Sequence, residues 1–223
     1  MFATMVNMIR PGLAAIPISP HLMSGRDLAE RNAEHGLLPV NNALHAVLPR
    51  GALERGCVYQ CTGVGASSLA WALVARAVSE GSWLAVVDVP RAGLLSAREY
   101  GIALERLLCI DTSRVTAHWS RMMGALVDGI DVVVTASPRC STADARKLAA
   151  RVKAQSAVMV VIGNSYDFPV DITLRIASPR WTFSGHARQR EVTIVTEGRR
   201  AYGMQPQLVL LPQSSHQLVQ TTC

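Results

Sequence analysis

The chain has 223 residues, 49% of them hydrophobic and 17% charged, so it has enough apolar material for one sizeable globular core. Its longest apolar runs are strand-sized, far short of the roughly 20 residues that span a membrane, which argues against a transmembrane segment. The net charge is +6 and only Lys147 and Lys153 are lysines, so an arginine-rich surface favours an acidic partner, unless arginine merely replaces surface lysine.

The N-terminal arm is predicted to cover residues 1–42. Its opening, "MFATMVNMIRPGLAAIPISP", lacks a positively charged start and is broken by prolines, which indicates an extended arm rather than a secretion signal. A short polar helix is expected over 24–35, and "VNNALHAVL" predicts a second short helix. The core domain is then expected over 43–200.

Strands and helices alternate from Cys57 onward. The predicted strands are "CVYQCTG", "SWLAVVDV", "LLCID", "DVVVTASP" and "AVMVVIG", separated by the helical segments 68–79, "AREYGIALERLL", "AHWSRMMGALVDG" and "TADARKLAARVKA". Such alternation predicts an α/β fold with right-handed crossovers and a mainly parallel sheet flanked by helices.

The C-terminal part changes to a two-residue alternation after Gly163. Segments around 172–176 and 192–195 predict antiparallel strands, joined by a glycine-containing loop near 184–190 and added to one side of the sheet. The tail, 201–223, has no charged residue and one apolar patch, "LVLLP". It either packs along the body or stays free until a partner binds.

The cysteines and histidines predict no metal site. Five cysteines, mostly within apolar strands, suit buried thiols in a reduced cytoplasm. Cys57 and Cys61 are four residues apart on one predicted strand, hence about 13 Å apart and too far to share a metal ion. The histidines show no ligand spacing, and no serine stands in a hydrolase motif.

The stretch "QCTGVGASSLAWALVARAV" has the rhythm of a phosphate-binding loop that opens a helix. In such loops glycines let backbone N–H groups converge on phosphate, a lysine neutralises the outer phosphates, and Ser or Thr ligates magnesium. Gly63 and Gly65 are present, but no Lys or Arg occurs from 57 through 75. The glycines therefore predict a tight strand-to-helix turn, and backbone binding of an anion there stays open.

The region from "ALHAVLPRGALERGCVYQCTG" through "GIALERLLCID" resembles the core of RecA-type recombinases. In that superfamily an "LPRG" turn precedes the first strand and a phosphate-binding loop follows it. The resemblance continues through "DGIDVVVTASP", at the Walker B strand, and "AVMVVIGN", and so covers about 43–200. The short length, the degenerate motifs and the ending "LRIASPRWTFSGHARQREVTIV" are most similar to actinobacterial ImuA-type proteins, accessory factors of mutagenic DNA repair. A RecA-like, P-loop-type sheet is the fold that this implies.

Three charge-bearing parts of a RecA-type ATPase are replaced at the matching positions. The loop carries Ala66, Ser67 and Ser68 where G-K-[ST] is required, Pro90 stands where a glutamate activates water, and Ala136 stands where an aspartate organises magnesium. Because phosphoryl transfer depends on positioning and charge stabilisation, their joint loss predicts a chain without ATPase activity, cofactor or metal.

The ImuA-type resemblance implies a protein-binding role in damage-induced mutagenesis. The expected partner is an ImuB-type homologue of Y-family polymerases that is itself inactive, through which the chain would support an error-prone C-family polymerase in lesion bypass. The same resemblance implies RecA as a further partner and association with the nucleoid after DNA damage. The sequence leaves open whether the chain forms homo-oligomers.

Two sets of residues are candidates for these contacts. The DNA loops of the recombinases shrink here to "SPRCS" and "NSYDFPVD", so any DNA contact would be weak and sequence-independent, through basic residues around one helix. Arginine and tryptophan are frequent at binding hot spots, which favours a protein surface at the C-terminal edge. The DNA candidates are Arg139, Arg146, Lys147, Arg151 and Lys153; the protein-partner candidates are Arg180, Trp181, Arg188, Arg190, Leu208, Val209, Leu210 and Leu211.

Two other functions stay open. A SulA-like inhibitor of cell division is also a degenerate RecA relative and would bind a tubulin-like division protein. A working ATPase is the other, if an arginine of a neighbouring subunit supplies the missing clamp.

Overall fold

The computed structural model describes residues 36–89, 94–113, 119–136, 138, 140–164, 168–184 and 186–211, without the side chains of 94–95 and 181–189. The expected helix over 24–35 lies outside these residues. At the N-terminal end of the described part, β1 (Leu37–Leu38) pairs antiparallel with β2 (Leu53–Glu54), and a 3₁₀ helix (Asn42–Val47) lies between them.

One eight-stranded sheet forms the centre of the molecule. Its order is β10-β9-β8-β3-β7-β6-β4-β5, and the strands from β8 to β5 run parallel to one another. The strands are β3 (Val58–Thr62), β4 (Leu84–Val87), β5 (Leu107–Ile110), β6 (Val132–Thr135), β7 (Val158–Ile162), β8 (Ile172–Ser184), β9 (His186–Glu197) and β10 (Gln207–Leu211). This confirms the predicted α/β class, with a mostly parallel sheet and antiparallel strands at its C-terminal end.

Helices cover both faces of the parallel part of the sheet. They are α1 (Ala66–Ser79), α2 (Leu94–Glu99), α3 (Trp119–Gly129) and α4 (Thr142–Ala154). α1 packs on one face in the larger hydrophobic core, and α3 and α4 pack on the other face in a second core around Met123, Leu148 and Val161. In the strand order β3 lies near the middle of the sheet, between β8 and β7, and α1 begins after its carboxyl end.

The predicted helical segment "AREYGIALERLL" is wrong as one element. The structure has the short α2, then a 3₁₀ turn at Leu104–Arg106 that leads into β5. Gly101 has φ +84°, and the amides of Gly101 and Ile102 donate to carbonyl oxygens of Arg98 and Ala97. A glycine in the left-handed region closes a helix in this way, so the chain cannot continue as one helix.

The predicted loop over 184–190 is also wrong, because residue 184 belongs to β8 and residues 186–190 belong to β9. β8 runs to Ser184 and β9 begins at His186, with Trp181 paired to Arg190. Part of the uncharged tail joins the sheet too, since β10 pairs with β9 as the edge strand. β8, β9 and β10 together are called the wing.

Asp131 fixes the start of β6. Its side chain is fully buried, and it accepts hydrogen bonds from the Arg55 guanidinium at 3.0 Å and from the backbone amide of Trp83 at 2.9 Å. A buried carboxylate needs such partners because its desolvation is costly. The aspartate at the head of the Walker B-like strand thus stabilises the fold, joining β2, β4 and β6.

Candidate functional site

The phosphate-loop-like turn, residues 63–68, connects the central strand β3 to α1 at the carboxyl edge of the sheet. Gly63 and Gly65 both have φ +90°, and Gly65 is the N-cap of α1. The amide of Ala66 donates to the carbonyl of Gly63 at 3.2 Å, and that of Leu69 donates to Gly65 at 3.1 Å. The turn is as tight as the glycines predict.

Gly63 is further required by its neighbour on β8. A Cβ atom at this position would collide with the backbone carbonyl oxygen of Ile176. A side chain here would therefore force the turn and β8 apart, independently of any ligand.

Arg190 of β9 reaches the turn across the sheet. It is only 5% exposed, its Nη2 donates to the carbonyl of Gly65 at 3.5 Å, and a Cβ at Gly65 would collide with its guanidinium. Although no basic residue occurs in the loop sequence, a cation from 125 residues away lies directly against it. The cation at the turn therefore comes from a distant strand and not from the loop itself.

Ser68 and Tyr100 form a second internal contact of the turn. Their hydroxyl groups are hydrogen-bonded, and Tyr100 is only 8% exposed. Burial raises the pKa of Tyr100, while the Ser68 hydrogen bond and the charge of Arg190 lower it. The hydroxyl that would ligate magnesium in a phosphate-binding loop is thus bonded to another side chain of this protein.

Two further positions that the RecA-type resemblance singled out can be located in part. Ala136 follows β6 and offers no side-chain ligand, whereas Pro90 lies outside the described residues. Asp88, two residues before Pro90, accepts hydrogen bonds from the amide of Thr112, at 2.7 Å, and from its hydroxyl. This carboxylate therefore holds the segment after β5.

The basic residues of α4 lie on two different sides of the helix. Arg151 forms a two-point ion pair with Asp128, and Lys147 lies 3.7 Å from Asp144, beside a groove between α3 and α4. Arg146 and Lys153 are exposed and have no ion pair within the described part of the chain. Arg139 lies outside it. The four described DNA candidates therefore do not form one continuous basic face.

The wing carries the described protein-partner candidates. Leu208 and Leu210 are 65% and 46% exposed, whereas Val209 and Leu211 are buried in the larger core. Arg180 is exposed on β8, and the side chains of Trp181 and Arg188 are outside the description. A partner could contact the two outward leucines, but not Val209, Leu211 or the buried Arg190.

A cavity of about 390 Å³ separates the start of the wing from α4. Lys153, Arg199 and Arg200 line it together with Asp171, over a floor that includes Ala149, Ala150 and Pro169. Sequence reasoning named Lys153 among the DNA candidates and did not predict its convergence with Arg199 and Arg200. The signal that it lacked is topological, since parallel pairing of β3 with both β7 and β8 brings the end of α4 beside the turn after β9.

Two of the described cysteine thiols lie in the hydrophobic core. Cys57 and Cys61 are both fully buried, and burial raises the pKa of Cys57 to about 11 and that of Cys61 further still. No group of three or more histidine, cysteine or acidic side chains that could hold a metal occurs among the described residues. None of their helices has the length and apolar character to span a bilayer.

Comparison with known proteins gives one family match. The model of a family described as the MT3502 N-terminal domain matches residues 46–167, which is more than half of the chain. The matched range runs from the 3₁₀ helix past β7, so it contains the phosphate-loop-like turn and α4 and ends before the wing. No curated protein matches the chain.

Proposed function

The chain belongs to the MT3502 N-terminal domain family, and we propose that it is a non-catalytic, RecA-like adaptor in damage-induced mutagenesis. In this role the α/β scaffold presents a protein-binding surface. Its partner is an ImuB-type homologue of Y-family polymerases, through which it supports an error-prone C-family polymerase during lesion bypass.

The observation that carries the proposal is the internal occupation of the phosphate-loop-like turn. Arg190 lies on Gly65, and Tyr100 bonds to Ser68, so groups that would face a nucleotide contact the protein itself. A nucleotide would have to displace the buried Arg190 and break the Tyr100 contact before reaching the backbone N–H groups. This supports a scaffold that has kept the turn for packing.

The RecA-like part of the proposal draws on the position of the turn. It follows the central parallel strand β3 and opens α1 at the carboxyl edge, where ligands bind in open α/β sheets. The antiparallel wing is added on one side, as the two-residue alternation after Gly163 predicts. A function still has to be argued from its site, because one fold serves many functions.

Exposed leucines support the protein-binding part. Leu208 and Leu210 lie two residues apart on the edge strand of the sheet, so they share one face. Natural edge strands are normally protected by charged residues or proline, and β10 has neither. The resemblance adds RecA as a second partner and the damaged nucleoid as the place of action.

Co-purification from DNA-damaged cells tests this function. The tagged full chain should recover the Y-family polymerase homologue, and the double variant Leu208→Ser/Leu210→Ser should lose it. Tyr202→Ser is the control, because Tyr202 is fully exposed but lies outside the wing strands. Recovery of a tubulin-like division protein in place of any polymerase component would instead support the SulA-like alternative.

Arg190 also favours a second candidate function, nucleotide hydrolysis with a borrowed cation. Here the arginine comes from the same chain rather than from a neighbouring subunit. Titration of MgATP into the purified chain separates the two functions. The adaptor account predicts no turnover in wild type, whereas turnover that disappears in Arg190→Ala would establish the ATPase.

A further inference from the structure

Among the described residues, the wing buries one face in the larger core and leaves side chains of the other face exposed. On β9, Val192 and Ile194 are fully buried, whereas Glu191, Thr193 and Val195, which alternate with them along the strand, are partly exposed. On β10 the same alternation exposes the leucines described above. The register places Leu208 opposite Thr193 and Leu210 opposite Glu191, so these side chains belong to one continuous outer face.

The helical layer that covers the neighbouring strands stops beside this face. The core formed with α3 and α4 reaches β3 at Val58 and includes no described residue of the wing. Neighbouring strands lie about 4.8 Å apart, so β8 and β10 are about 10 Å apart, close to the 10–12 Å diameter of a helix. One helix laid next to α4 would therefore complete the layer.

Positive charge borders the uncovered face on the side of α4. Lys153 and Arg199 stand at the cavity described above, and Arg146 lies on the same side of α4, seven residues before Lys153. Of the acidic groups nearby, Asp171 lies 3.5 Å from Arg199, and Glu54 lies 3.0 Å from Arg200. Lys153 and Arg146 have no acidic partner in the described part of the chain, so the border is net positive.

We propose that the outer face of the wing binds an acidic amphipathic helix of the protein partner. The apolar stripe of that helix packs on Val195, Leu208 and Leu210, and its carboxylates face Lys153 and Arg199. This rests on the proposed function, in which the chain is a protein-binding adaptor, and it specifies the segment that such a partner must present. Helix-in-groove recognition of this kind uses one apolar stripe and a charged rim.

The same surface fits a nucleic acid less well. Leu208 and Leu210 offer no hydrogen bond to a phosphate or base, whereas the apolar stripe of a helix can pack on them. An acidic amphipathic helix fits both the leucines and the basic border, because its apolar stripe contacts the leucines and its carboxylates need only reach the border.

A synthetic peptide probes the site without knowledge of the partner. The probe is an 18-residue helix with leucine on one face and glutamate on the other, labelled and titrated with the full chain by fluorescence anisotropy. Lys153→Glu should weaken binding at least tenfold, and Leu208→Ser/Leu210→Ser should do the same. The matched control is Lys147→Glu, which changes the same charge on the exposed opposite side of α4 and should alter affinity less than threefold.

Three results would overturn the inference. The first is that the peptide does not bind. The second is that Lys147→Glu weakens peptide binding as much as Lys153→Glu does. The third is that a single-stranded oligonucleotide displaces the peptide and that this displacement depends on Lys153. The purified polymerase homologue then distinguishes the two proposals. If it fails to bind while the peptide binds through Lys153, only the proposed function fails; if it binds wild type and Lys153→Glu equally, only the helix site fails.

Discussion

Gly65 and Arg190 are 125 residues apart in sequence and in direct contact in the fold. In phosphate-binding loops the cation lies within the loop sequence. Here the cation that contacts the turn is Arg190, from a distant strand. At the scale of single residues, the turn is thus held by glycine geometry on one side and by a buried guanidinium on the other.

A double-mutant cycle tests the Arg190 contact. Gly65→Ala should destabilise wild type strongly, because the new Cβ collides with the guanidinium and φ of +90° is strained for alanine. In an Arg190→Ala background only the backbone strain, about 1–2 kcal/mol, should remain. Urea unfolding of the four proteins should give a coupling energy of about 1 kcal/mol or more, and strictly additive losses would refute the contact.

Because the pKa of Cys57 is raised by burial, the stability of the fold should vary with pH in the alkaline range. Burial raises this pKa from 9.0 to about 11, so between these values the unfolded chain loses the thiol proton while the folded chain retains it. The free energy of unfolding should therefore fall as pH rises through 9 to 11. Thermal melts should show a smaller fall for Cys57→Ala than for wild type, and parallel curves would contradict the assignment.

At the scale of elements, β6 and the wing differ in how their positions are fixed. β6 is parallel on both sides and anchored by Asp131 at its start. The wing is antiparallel and ends at an open edge. In the proposed function, the first arrangement serves stability and the second offers a surface for binding.

Removal of the Asp131 charge tests this anchor. Asp131→Asn removes the carboxylate charge that faces the buried Arg55 guanidinium, whose side chain is 6% exposed, and should cost about 3–5 kcal/mol in the free energy of unfolding. Glu80→Gln, which breaks the exposed Arg76–Glu80 pair, is the control and should cost about 1 kcal/mol or less. Equal losses in chemical denaturation would show that the buried pair is not an anchor.

Much of the element order was readable from the sequence, and the exceptions have physical reasons. The parallel strands are almost continuous apolar runs such as "SAVMVVIG", typical of strands buried on both faces. The outer part of the hairpin was taken for a loop because "HARQR" carries no apolar alternation. The Arg190 contact and the cavity at Lys153 depend on strand register and topology, which local patterns do not encode.

At the scale of the whole molecule, the centre and one edge of the sheet carry different functions in this account. The phosphate-loop-like turn follows the central strand and is closed by the protein's own side chains, whereas the wing at one edge presents leucines beside a basic border. The central claim is that the chain works through the wing and not through the turn.

The most direct measurement is the frequency of DNA-damage-induced mutations in the native organism. Strains would carry the wild-type chain, the wing variant Leu208→Ser/Leu210→Ser, or the loop variant Ser67→Ala, whose side chain is exposed at the turn. We predict that the wing variant falls to the level of a deletion strain while the loop variant equals wild type. Loss of induced mutagenesis in the loop variant, with the wing variant unaffected, would contradict the account.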